Sequence, residues 1–287
     1  MTDHPVRPSP PTVPVEVPLE GRDPDLVADE LFVLGASAVL EREGSVVADL
    51  PVEVLGRLGA HRVLEEPAPV DPEVTSRPVG RRLRLTPAGS VPQNRGISAQ
   101  TAGQNGGGGD RVEVVLEAGG AFGSGSHPST RLCLAALEPL APQADTVLDV
   151  GCGTGVLGAA ALLLGAGSLT AVDVDPEARR VTRSVLDRNG LADRAEVSDQ
   201  PLARVEGTFD LVLANLLIPV VESLGAELAA RVAPGGALVV GGILLHQRER
   251  AIRSLAPLVP RVAHVEHAWW AAVLSDPATA VSCMNVL

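Results

Sequence analysis

Residues 147–167 read VLDVGCGTGVLGAAALLLGAG. An apolar run of strand length meets glycines at 151, 153 and 155, and a stretch of alanine and leucine long enough for a helix follows. Glycine serves where a turn needs positive φ or where a ligand must touch main chain. Outward from this unit, short apolar runs alternate with helical segments: VEVVLEA from residue 112, TRLCLAALEPL from 130, SLTAVDV from 168, EARRVTRSVLDRNG from 177, FDLVLANL from 209, VVESLGAELAARV from 220 and GALVVGGIL from 236. This order predicts a doubly wound, mostly parallel α/β sheet over residues 111–277, with its ligand at the carboxyl ends of the strands.

The glycine spacing narrows the ligand. A dinucleotide site reads GxGxxG, whose third glycine falls at what is here Val156. A dinucleotide must also seat its pyrophosphate on the helix amino terminus, whereas S-adenosylmethionine has no phosphate and needs only close main chain. The tighter GxGxG therefore favours S-adenosylmethionine, with Gly151 and Gly153 in contact with it; a bare strand-to-helix turn is the alternative. The next strand ends at Asp173, twenty-two residues after Gly151, where an adenosine ribose would lie. A carboxylate there accepts both ribose hydroxyls. The competing role, a helix cap, suits Asp175 better, because Asp175 directly precedes Pro176. Asp149 either orients the donor's amino group or holds the loop. Asn215 closes the third strand, and its amide can donate to the bound donor or accept from an incoming amine; an Asn tolerated in a turn is the plain alternative.

Composition removes several classes of function. All 23 basic residues are arginine, so there is neither a Walker-type phosphate lysine nor a Schiff-base nucleophile. A formal charge of -12 opposes nucleic acid and favours a basic protein partner. Cys133, Cys152 and Cys283 are too few and too scattered for a disulfide framework, and no CxxC pair suggests zinc. No metal site is expected: HVEH at His264 and His267 lacks a third ligand. The opening MTDHPVRPSPP has no apolar core, and the longest apolar runs fall short of the roughly 20 residues that cross a bilayer. A soluble, monomeric, cytoplasmic protein is expected.

Ahead of the sheet, after a loose tail over residues 1–12, residues 13–88 predict a small α+β domain. TVPVEVPL alternates as a strand, and DPDLVADELFVLGA has helical spacing. SAVLE and SVVAD flank a hairpin turn, PVEVLGRLG is a short helix and HRVLEE a fourth strand. The order βαββαβ is ferredoxin-like. Residues 89–110, ending in four glycines, have linker composition, and residues 278–287 form a terminal tail.

Taken in order, GGAFGSGSHPSTRLCLAALE, VLDVGCGTGVLGAAALLLGAG, AVDVDPEA, the NG at Asn189, FDLVLANLLIP and PGGALVVGGILLHQ span nearly all of residues 119–247. As a set they resemble the bacterial methyltransferases that modify ribosomal protein L11. The resemblance implies a Rossmann-like class I methyltransferase domain, S-adenosylmethionine as cofactor, and donor-binding positions at Thr130, Gly151, Asp173 and Asn215. By the same analogy the glycine-rich loop from Gly119 to Thr130 folds over the donor, bringing Phe122 to it, and the small domain grips the ribosomal protein. His127 reads as a helix-entry residue rather than a base. The chain departs from the family pattern at TPAG in the linker strand and at EAGG before the loop, changes that bear on the acceptor more than on the donor. Competing readings are a small-molecule methyltransferase of related descent, an inactive donor-binding interaction protein and, last, a dinucleotide oxidoreductase.

Overall fold

A computed structural model describes residues 12–22, 27, 30–31, 34, 36, 39–42, 44–64, 77–79, 81–87, 111–116, 127–266 and 268–279. The chain divides into two compact units, before and after the Asp71–Pro72 peptide. The boundary expected at residue 88 therefore moves earlier. The physical reason is a strand pairing: Leu83–Pro87 lies parallel to Val112–Leu116, in register from Leu83 opposite Val112, which ties it to the second unit.

The first unit holds β1 (Thr12–Pro18), β2 (Val39–Arg42), β3 (Ser45–Pro51) and β4 (Arg62–Val63) in an antiparallel sheet of order β2-β3-β1-β4. Thr12, placed in the tail by its sequence, pairs with Pro51 instead. Val15, Val17, Val27, Leu31, Val46 and Leu50 form its core. Val27, Glu30 and Leu31 are helical, as the apolar spacing requires, but the second helical connection is a 3-10 turn, Val52–Arg57, with none of its residues buried. Val54, Leu55 and Leu58 pack against that core only partly buried, so the segment gains little from extending into a full α-helix.

The second unit opens with β5 (Arg77–Val79), β6 (Leu83–Pro87) and β7 (Val112–Leu116), a three-stranded sheet of order β5-β6-β7. β7 was expected in the main sheet, and it is not there. Its edge is taken instead by the amide of Asn189, which accepts from Val115 N (2.9 Å) and donates to Val115 O (2.8 Å).

The main sheet contains β8 (Thr146–Val150), β9 (Ser168–Val172), β10 (Ala195–Ser198), β11 (Phe209–Asn215), β12 (Val232–Leu244), β13 (Val259–Glu266) and β14 (Trp269–Ser275). Their order is β10-β9-β8-β11-β12-β14-β13, parallel except that β14 runs against both neighbours. Helices α1 (Pro128–Leu137), α2 (Val156–Leu164) and α3 (Pro176–Arg188) share one apolar layer with Val147, Leu211, Leu213 and Trp269. Helices α4 (Ile218–Ala230) and α5 (Arg248–Ser254) cover the other face with Leu148, Val212, Ala214 and Trp270. Alternate strand residues go to opposite layers, so strands buried on both faces read as continuous apolar runs. Trp269 and Trp270 follow the same alternation.

Candidate active site

The strand order reverses between β8 and β11, and the crevice at such a point is where wound sheets bind ligands. Every sequence-predicted site residue that the structure describes lies at this carboxyl edge. Thr130, Asp149, Gly151, Gly153 and Asn215 line one narrow cleft, with Asp173 hydrogen-bonded to its rim. Phe122, with the rest of residues 117–126, lies outside the described residues.

The glycine turn follows β8, with φ of 69°, 55° and 76° at Gly151, Gly153 and Gly155. Gly151 N and Cys152 N donate to Val172 O (2.8 and 3.2 Å), which joins the turn to the end of β9. Thr182, fully buried on α3, donates its hydroxyl to Gly153 O (2.9 Å). A Cβ at Gly155 would stand 2.8 Å from Thr182 Cγ2 and 3.2 Å from its Cα. Gly155→Ala thus combines a left-handed backbone with a close approach to a helix. We expect it to lower stability by about 1–3 kcal/mol in a denaturant titration; an unchanged midpoint would show that the turn is not held as described.

Asp173 accepts from Gly153 N through Oδ2 and from Asp175 N through Oδ1, each at 2.9 Å. The helix-cap role falls to Asp175, which accepts from Glu177 N at 2.9 Å. Asp173 is therefore the acid at the rim and Asp175 the cap.

Asp149 is 1% exposed and accepts from Gly158 N at 3.1 Å. Burial pushes its carboxyl up to about 7, with a smaller push from Asp173 and an opposing pull from the Gly158 N–H. An unfolded Asp titrates near about 3.9. Between about pH 4 and 7 the folded chain therefore holds a proton that the unfolded chain has lost, so this group's contribution to stability falls as pH rises through that window and then levels off. Asp149→Asn should remove that slope. Urea unfolding of both proteins at several pH values from 5 to 8 checks it, and parallel profiles would contradict it.

Asn215 ends β11, and its Nδ2 donates to Thr130 Oγ1 at 3.4 Å. Its Oδ1 is buried and has no hydrogen-bond partner among the described residues. Behind it β12 carries an irregularity between Val240 and Ile243. Gly242 there has φ of 73°, and a Cβ on it would come within 2.6–2.9 Å of Leu216 main chain. Only glycine lets this bulge seat the turn after Asn215.

Thr130 is fully buried in the first turn of α1. His127 caps that helix, its Nδ1 accepting from Ser129 N (3.3 Å), and its ring meets Trp269 edge-on at 4.6 Å. Burial, then Arg131, lowers its pKa to about 4 against the pull of Glu266, so the imidazole is neutral at pH 7. The helix-entry reading fits this geometry. Burial also raises both described thiols, Cys152 up to about 12 and Cys133 further, which leaves them protonated. His267 lies outside the described residues, and no cluster of three metal-ligating side chains occurs among the described ones. Among them, too, no helix is long and apolar enough to cross a membrane.

Thr182 and Gly242 escaped the sequence reading. Thr182 sits inside an amphipathic helix where nothing marks it as a partner of the glycine turn. The GG at 241–242 was visible, but a bulge needs the register of two neighbouring strands to be known.

The family description "Ribosomal protein L11 methyltransferase (PrmA)" matches residues 99–276. The ribosomal protein L11 methyltransferase of Geobacter sp. (strain M21) is 49% identical over 142 residues, covering 47% of this chain and 46% of that protein. Its counterpart from Dechloromonas aromatica (strain RCB) is 43% identical over 159 residues, covering 55% and 53%. The chain spans about half the length of the curated relatives it matches. The crystal structure of a ribosomal protein L11 methylase from Lactobacillus delbrueckii subsp. bulgaricus superposes with a TM-score of 0.58 at 27% identity, covering 69% of this chain and 96% of that one. The wound sheet with its single reversed strand is thus a class I methyltransferase fold, and the chain belongs to the ribosomal protein L11 methyltransferase (PrmA) family.

Proposed function

We propose that the protein is an S-adenosylmethionine-dependent methyltransferase that N-methylates amines of ribosomal protein L11. One observation carries the reading: Asn215, whose Oδ1 is buried and unpartnered among the described residues, lines the same cleft as Gly151 and Gly153. A buried acceptor without a donor costs free energy, and the N–H of a bound amine satisfies it. Cofactor fit rests on the same ground, because Gly151 and Gly153 bring bare main chain to the cleft and Asp173 at its rim supplies the acid a ribose needs.

When bound, S-adenosylmethionine supplies an electrophilic methyl group on a sulfonium sulfur. Asp173 accepts the ribose hydroxyls, Gly151 and Gly153 approach the methionine part, and Asp149 lies at the floor for its ammonium. Asn215 orients the acceptor nitrogen through Oδ1 while Thr130 holds its Nδ2. Alignment and exclusion of water are the main demands on the protein. A free lysine amine of pKa near 10.4 is neutral only about once in a thousand at pH 7, and an apolar pocket raises that fraction by disfavouring the charged form. In this reading the first unit is a ferredoxin-like recognition domain, and the net charge of -12 suits a basic partner.

Labelled methyl transfer from S-adenosylmethionine tests the reading, with purified ribosomal protein L11 set beside a metabolite extract. Label is expected in L11. Label only in small molecules would favour a small-molecule methyltransferase, and none in either an inactive binding protein.

A further inference from the structure

Arg179 stands in the first turns of α3, close to the positive end of a helix dipole, where a cation is disfavoured. Its position is explained by what it holds. Nη1 donates to Asp173 O (2.8 Å) and to Val174 O (3.0 Å), while Nη2 lies 3.8 Å from the Asp199 carboxylate. The arginine side chain is 15% exposed, and that of Asp199 is 78% exposed, so the two carbonyls are the stronger attachment.

Packing cannot hold this turn. Val174 is 89% exposed and anchors nothing. Hydrogen bonds hold the path of residues 173–175: Asp173 N to Ser198 O, Gly153 N to Asp173 Oδ2, Asp175 N to Asp173 Oδ1, Glu177 N to Asp175 Oδ1, Arg179 N to Asp175 O, and the guanidinium across two successive carbonyls. Two carbonyl oxygens converging on one point repel each other unless a cation lies between them. Without it, rotation of the peptide after Asp173 relieves the repulsion and carries the carboxylate away from the Gly153 N–H.

We propose that Arg179 is a positioning residue for the donor site: by clamping the carbonyls of Asp173 and Val174 it holds the Asp173 carboxylate against the glycine turn, ready for the ribose. The inference rests on the donor-binding reading given above. It also sets Arg179 apart from its neighbours, since Arg180 pairs with Glu177 and Arg183 donates to Val197 O.

Two measurements on the full chain test it, with Arg179→Met, which keeps the apolar stem and removes the donors. The first is amide hydrogen exchange at Gly153 in the protein without donor. Exchange should quicken roughly tenfold while the interior of the sheet keeps its protection. The second is calorimetric titration of S-adenosylmethionine into single and double variants. Arg179→Met should raise Kd roughly tenfold in the native background but less than about twofold when Asp173 is already Ala, because residues acting through one another are not additive. Unchanged Gly153 exchange, or an equal loss in both backgrounds, overturns the proposal. Should the native protein fail to bind the donor at all, the donor-binding reading falls, and Gly153 exchange still decides the role of Arg179. If Arg179→Met does not fold, Arg179→Lys, which cannot span the two carbonyls with a planar fork, carries the same pair of measurements.

Discussion

Replacing Asp173 with alanine is expected to weaken S-adenosylmethionine binding by at least about tenfold. The carboxylate stands at the rim of the cleft, held by the amides of Gly153 and Asp175 with lone pairs left for a ribose. Charge-assisted hydrogen bonds of this kind contribute roughly 1.5–3 kcal/mol each, and two are lost together. Asp173→Asn should fall between, because an amide still accepts one hydroxyl without the charge. Titration calorimetry reads both variants directly. Native affinity in Asp173→Ala would remove the acid from the donor site and leave it a structural tie of the loop.

Asn215→Ala is expected to act on the other half of the reaction. Its Oδ1 is buried and unpartnered, and in the proposed mechanism it receives the N–H of the acceptor amine. Losing that contact frees the nucleophile to wander from the in-line path, and misplacement by about an ångström costs on the order of a hundredfold in rate. We therefore expect kcat to fall by about that factor while donor Kd moves much less. The reverse pattern, a weakened donor with turnover preserved, would make Asn215 a donor-binding residue. Stability should change little, since alanine removes an unsatisfied polar atom while the buried Thr130 hydroxyl loses only a long hydrogen bond of 3.4 Å.

The place of the cleft was legible in the sequence for a physical reason. Gly151, Gly153, Asp173 and Asn215 all sit within a few residues of the end of a strand, and strands buried on both faces announce themselves as apolar runs. Once β8, β9 and β11 are recognised, their carboxyl ends are fixed and the residues following them become the candidates. The helix cap at Asp175 followed from Pro176 in the same local way. Trp269 and Trp270 facing opposite layers followed from the period of a strand.

What was not legible depends on contacts between distant segments. Val112–Leu116 has the composition of any buried strand, and nothing local says that it pairs with Leu83–Pro87 and with the Asn189 amide rather than joining the main sheet. The boundary near Asp71 follows from that same pairing. Thr182 under Gly155 and Arg179 over Asp173 act on main-chain atoms, and a sequence carries no mark of which carbonyl a side chain will meet. The raised carboxyl of Asp149 is also a product of burial. A strand-end Asp reads alike whether it is wet or 1% exposed.

The most direct test of the account is a crystal structure of the protein with S-adenosylhomocysteine. The account predicts both ribose hydroxyls on the Asp173 carboxylate, the amino acid part against the main chain at Gly151, and the sulfur turned towards Asn215. A ligand bound away from the β8–β11 crevice, or a ribose held by some other group while Asp173 keeps only its amides, would contradict it.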